Sequence, residues 1–270
     1  MRPTDLIRAG RGVLPTVFTF LALVAGSSSL FCSLFSISAD VVNPDPWRLR
    51  AALLIMLALI LDGLDGNLAR WLKAESPLGA ELDTFVDLTA FGIAPAVLMY
   101  SIADGIPVPI RAALGIALIA SGAWRLARFK TADPYRGQRG YLGLPITVGA
   151  SVVALAALLA ARAPQQEIIP TLFLASGPAA WAWLGCMAIL AFLQVSHLRY
   201  PKPSKHPVLF VSGVLLIAAL WTPLPALSTG AAWLGLVLAL LFSLAAPVAN
   251  RLTVLKRHPV TRLPFGSDGG

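Results

Sequence analysis

The chain has 270 residues, 57% of them hydrophobic, with a mean hydropathy of +0.76. That excludes a soluble globular domain, and the absence of strict apolar–polar alternation excludes a spanning barrel, leaving an all-α polytopic membrane protein. The net charge of +8 would suit nucleic acid in a soluble protein, but the cations fall in separate loops without a contiguous patch, so no nucleic-acid partner is expected.

Arg2, Arg8 and Arg11 precede the first apolar run. The run is too long for the core of a signal peptide and further spans follow, so it reads as an uncleaved first helix. Residues 1–11 are expected as a short helix on the membrane surface. Eight spans are expected, at about 13–38, 50–72, 78–102, 108–130, 141–162, 179–197, 207–223 and 229–249. The seventh is the shortest, ended by Pro223 and Pro225. An even count puts both termini on one side, which then holds 17 of the 21 Lys and Arg residues, leaving Arg48, Arg50, Arg111 and Arg162 opposite. That asymmetry makes the termini cytoplasmic. A basic tail at 251–270 is expected to be disordered. Cys32 and Cys186 have no CxxC spacing and read as free buried thiols.

The chain concentrates acidic residues between its second and third spans. Asp62, Asp65, Glu75, Glu81, Asp83 and Asp87 make six of its 13. An ionised Asp at membrane depth costs about 2.5–3.5 kcal/mol, and Arg70 alone cannot offset four. Asp62 and Asp65 share one helix face, with Ala69 a turn further on. Gly79, Asp83 and Asp87, four apart, form a stripe on the next helix. A short turn at Glu75-Ser76-Pro77 makes the two helices antiparallel, so both carboxylate pairs face one cavity. Two divalent cations would balance the charge. Oxygen-only ligands suit Mg²⁺ or Mn²⁺, and His197, His206 and His258 all lie far away in sequence. Paired metals are a device of phosphoryl chemistry. Gly66, Ala69 and Gly79 allow close approach to the backbone or close helix packing. Glu75 and Glu81 read as solvated or paired with Lys73.

The pattern Asp62-x2-Asp65-Gly66-x2-Ala69-Arg70-x8-Gly79-x3-Asp83-x3-Asp87 resembles the signature of the CDP-alcohol phosphatidyltransferases at every position. The resemblance implies a six-helix catalytic core within residues 1–205, with two additional spans in 206–250, and a homodimer. It also implies a chemistry in which an alcohol attacks the phosphorus of a CDP-linked lipid and CMP departs. Carried over, Asp62, Asp65 and Asp83 are metal ligands, and Asp87 is both ligand and general base. Asp62, Gly66, Ala69, Arg70, Gly79 and Asp83 form the CDP and diphosphate site.

Leu78–Leu98, Trp124–Pro134 with Gly143–Ala150, Val195–Lys205 and the opening Leu14–Gly26 are similar to the phosphatidylserine synthase branch. That branch usually has Asn where this chain has Thr16 and Lys130. The resemblance implies CDP-diacylglycerol and serine as substrates, in the inner membrane, with the lipid entering sideways from the inner leaflet. The carboxylate of serine wants an arginine fork. Arg128 is the first candidate for acceptor or phosphate binding, then Arg125, then Lys130. Both arginines also fit ordinary flanking charge, while Arg199, Lys202 and Lys205 fit contact with lipid headgroups. Other acceptors stay open: glycerol 3-phosphate, inositol phosphate or choline. A divalent-cation transporter also explains four aspartates, but not the Gly-x2-Ala-Arg spacing.

Overall fold

The computed structural model describes residues 3–38, 40–72, 77–131, 140–162, 177–201 and 207–257. Among these, eight helices run in order: α1 (Pro3–Ser36), α2 (Asp45–Leu72), α3 (Pro77–Ile102), α4 (Val108–Thr131), α5 (Ile146–Arg162), α6 (Gly177–Val195), α7 (Pro207–Ala218, closed by a 3₁₀ turn at Ala219–Trp221) and α8 (Pro225–Arg257). Two short strands, β1 (Gly140–Leu142) and β2 (Arg199–Pro201), pair antiparallel with Tyr141 opposite Tyr200.

Prolines set several boundaries. Pro77 and Pro225 open α3 and α8, where the missing N–H has no helical partner in any case. Pro223 forces Thr222 into extended backbone, ending α7 as its position in the sequence implies. The surface segment expected at 1–11 is not a separate element, because α1 is continuous from Pro3. The helix of α8 likewise continues through Arg257, into the segment expected to be a disordered tail; residues 258–270 lie outside the described part.

Six helices have the length and apolarity to cross a membrane; α5 and the residues 210–221 of α7 are shorter. The fifth span starts at Ile146 rather than near 141, because β1 and the positive φ of Gly143 precede it. At 17 residues α5 is about 25 Å long, just short of the ~30 Å apolar layer. It is buried along nearly its whole length, so neighbouring helices screen its ends.

Side-chain bonds fix the direction of travel. The Oγ of Ser29 donates to Ala51 O at 2.8 Å, and that of Thr19 to Asp65 Oδ2 at 2.7 Å, so α1 and α2 are antiparallel. Arg48 joins the start of α2 to the end of α3 through Ser101 O and the Asp104 carboxylate. At the other end, Lys130 of α4 reaches Glu81 near the start of α3 at 2.9 Å. Arg128 ties the end of α4 to the end of α6, and β1–β2 pairing places the start of α5 there too. Arg162 joins the end of α5 to Leu220 O and Ser228, at the α7–α8 turn. The helices therefore alternate in direction, the short ones included.

The last two helices are packed into this core. The buried Tyr200 donates to Ser243 O of α8 at 2.8 Å, and its ring lies against Phe242. Burial pushes the Tyr200 phenol up to about 12, so it stays a donor at any physiological pH. Large apolar side chains such as Phe20, Val24 and Phe31 on α1, Phe192 on α6 and Leu241 and Leu244 on α8 are exposed. These faces have the chemistry of lipid-covered surface.

Candidate active site

The site lies where α2 ends and α3 begins. In α3, residues Pro77–Val86 are regular α-helix, so Gly79 and Asp83 keep their fourfold spacing. Asp87 then opens a π-helical segment, Asp87–Ile93, before α-helix resumes at Ala94. The N–H of Ala94 bonds to Thr89 O, five residues back. Pro95 accounts for the wide turn: in a regular helix its ring would press on the carbonyl of Phe91. The same segment meets α1 closely. A Cβ on Gly26 would lie 2.5 Å from Ala90 Cβ and 2.7 Å from its Cα, so the two backbones touch through the missing side chain.

One carboxylate oxygen from each of Asp62, Asp65 and Asp83 lies within 4.8 Å of the other two. Asp65 is buried at 3% exposure, Asp62 is half-buried and Asp83 opens to the surface. The carboxylates of Asp62 and Asp83, from α2 and α3, face each other within this group. Asp87 stands outside this tight triad, but its charge acts on Asp62, Asp65 and Asp83. Of the four carboxylates expected to converge, three lie together and Asp87 lies outside that group.

The donor set tests the fit of a cation. Three carboxylates converge with no histidine or cysteine among them, which suits a hard divalent ion such as Mg²⁺ or Mn²⁺. Three carboxylates this close repel one another unless positive charge stands between them. The site can hold a metal ion.

Three cations surround the carboxylates. Arg70 acts on Asp65, and its guanidinium is held by Asn67 Oδ1 at 3.0 Å. Only that guanidinium comes within 4 Å of where a Cβ on Gly66 would stand, so Gly66 leaves a gap beside the aspartates. Ala69 and Gly79 are half-buried. Arg125, 7% exposed, acts on Asp87 from α4. Lys130 acts on Asp83 and forms an ion pair with Glu81. Glu81, expected to be solvated or paired with Lys73, is exposed and paired with Lys130 instead; Lys73 and Glu75 lie outside the described residues.

Arg128, the first sequence candidate for acceptor binding, is turned away from the carboxylates. Its guanidinium donates to Val195 O and Ser196 O, both at 2.9 Å, and to Gln194 O at 3.4 Å. These are carbonyls left without partners at the end of α6, and the negative end of the helix dipole adds to the attraction. Spacing alone cannot separate two arginines on one helix face; the position of α6 does. Thr19 is the contact that sequence spacing does not show. It is buried on α1, 46 residues from the Asp65 it bonds.

Fold and site together define a multi-pass helical membrane protein whose reactive groups are carboxylates at one end of a helix hairpin. The chain belongs to the CDP-alcohol phosphatidyltransferase family, whose model matches residues 12–245, reaching well into α8. It is similar to a CDP-diacylglycerol–serine O-phosphatidyltransferase of Helicobacter pylori strain J99, at 32% identity over 80% of this chain and 85% of the relative. Proteins of the same name from Methanocaldococcus jannaschii (31% identical; 62% of this chain, 71% of the relative) and Bacillus subtilis strain 168 (31%; 58% and 77%) are similar as well.

Proposed function

We propose that this protein is an enzyme that transfers the phosphatidyl group of CDP-diacylglycerol to the hydroxyl of serine, giving phosphatidylserine and CMP. The observation that carries the reading is the meeting of Asp62, Asp65, Asp83 and Asp87 beside Arg70 and Arg125, with relatives named for this reaction matching most of the chain.

The hydroxyl of serine is a weak nucleophile, and Asp87 takes its proton as the oxygen attacks the lipid phosphorus. The new P–O bond forms as the bond to the diphosphate bridge breaks, and that electron pair leaves with CMP. Arg125, whose charge acts on Asp87, forks the serine carboxylate, which brings the hydroxyl to the base. Arg70 binds phosphate oxygens, and the gap at Gly66, with the small residues Ala69 and Gly79, admits the cytidine. One or two Mg²⁺ or Mn²⁺ ions held by Asp62, Asp65 and Asp83, with Asp87 at the edge, would neutralise the diphosphate and stabilise the departing CMP. Lys130 closes the rim through Glu81, and Arg128 supports α6.

The test is CMP release from CDP-diacylglycerol by the purified chain with Mg²⁺ or Mn²⁺. Serine should give phosphatidylserine by mass. Release with glycerol 3-phosphate, inositol phosphate or choline instead would overturn the acceptor, and no release with any alcohol would overturn the reaction.

The same reading places the site and both termini on the cytoplasmic face of the inner membrane. The alternating helices and the excess of Lys and Arg on the site's side support it. A reporter fused after Gly270 should be active in its cytoplasmic form; activity only in a periplasmic form would reverse the orientation.

A further inference from the structure

We propose that Thr19 is a positioning residue that sets the plane of the Asp65 carboxylate for cation binding. This rests on the metal reading above and goes beyond the aspartate motif, which contains no residue of α1. Thr19 lies at 7% exposure in the α1–α2 interface. Its Oγ1 is 2.7 Å from Asp65 Oδ2 and 3.1 Å from Pro15 O. A hydroxyl has one proton, and the shorter contact to an acidic acceptor takes it.

A carboxylate free to turn about its Cβ–Cγ bond presents its oxygens in many directions. Asp65 is the buried member of the triad, and the Thr19 hydroxyl reaches it from a different helix. Fixing Oδ2 fixes the direction of the remaining lone pairs toward Asp62 and Asp83. Loss of a partner that orients a metal ligand typically costs about 10–100-fold in metal affinity. The placement also explains why α1, which carries no carboxylate among its described side chains, packs along the site helix so extensively: it brings a donor to the buried end of the triad.

The experiment uses the full chain in detergent and measures Mn²⁺ binding from the electron paramagnetic resonance signal of free Mn²⁺. Four variants separate the outcomes. Asp65→Asn should abolish tight binding. Thr19→Val, which keeps shape and loses the hydroxyl, should raise the Mn²⁺ dissociation constant about 10–100-fold. Thr19→Ser, which restores the donor, should bind close to wild type. Ser29→Ala removes the other buried α1–α2 hydroxyl bond, to Ala51 O, so it should lower thermal stability and leave Mn²⁺ affinity unchanged.

Wild-type affinity in Thr19→Val overturns the inference. So does equal weakening in Thr19→Ser, which would assign the effect to packing of the methyl group, or equal weakening in Ser29→Ala, which would assign it to the helix contact. If the wild-type chain binds no Mn²⁺, or Asp65→Asn has no effect, the metal reading itself fails, a result distinct from the first three.

Discussion

Asp87→Asn should lower the rate of phosphatidyl transfer by about 10²–10⁴-fold, the usual contribution of a positioned general base. Asn keeps the size and shape of the side chain and removes its ability to take a proton. The distinctive expectation is what survives. Asp87 stands outside the group of carboxylate oxygens that lie within 4.8 Å of one another, so Mn²⁺ affinity should stay near that of wild type. Asp62→Asn or Asp65→Asn should remove binding and turnover together. Some stability should be lost in Asp87→Asn, because the buried Arg125 loses an opposing charge that acts on it. Thermal unfolding and Mn²⁺ binding measured beside turnover separate these effects. Turnover near the wild-type rate would remove Asp87 from the base role. Loss of Mn²⁺ binding equal to that of Asp65→Asn would make it a ligand first and put the base elsewhere.

The π-helical turn gives that prediction its physical ground. With α-helix up to Val86, Asp83 and the triad stay in register. The wider turn begins at Asp87 itself, so Asp87 sits at a change of helical pitch. The reason lies eight residues downstream, in Pro95, and in the contact of Ala90 with Gly26. No short-range pattern in the sequence carries that information. The carboxylate spacing does, since i, i+3 and i, i+4 neighbours share a helix face whatever the rest of the chain does. The hairpin and its aspartates were therefore legible, as were the eight helices, whose apolar runs are long and whose ends are marked by prolines. Features decided by elements distant in sequence were not. Thr19 is one hydroxyl among many in an apolar helix until α2 is placed beside it. The short α5 follows from Gly143: a Cβ there would meet Gln194 O at 2.2 Å, so the loop before α5 is shaped by the end of α6.

The two arginines of α4 should separate cleanly by experiment. Arg125→Ala should raise the KM for serine about 100-fold, as removal of one partner of a buried charge pair does, with a much smaller change in the KM for CDP-diacylglycerol. Arg125→Lys should recover only part of this, because an ammonium keeps the charge and loses the two-pronged geometry. Arg128→Ala should leave the serine KM unchanged and lower stability by about 1–3 kcal/mol, the cost of carbonyls left without donors. The difference follows from where each guanidinium ends. Arg128 spends its donors on Gln194, Val195 and Ser196 at the close of α6, and Gly143 leaves the space it occupies: its Nη2 would be 2.7 Å from a Cβ there. Arg125 is buried one turn earlier and acts on Asp87. An acceptor with a carboxylate three bonds from its hydroxyl oxygen can reach both residues at once, and choline, which has no carboxylate, cannot. On the proposed reading, Arg125 would select the acceptor and Asp87 would activate it. The opposite result, a serine KM that responds to Arg128 and not to Arg125, would mean that the end of α6 moves on binding and releases Arg128 to the substrate.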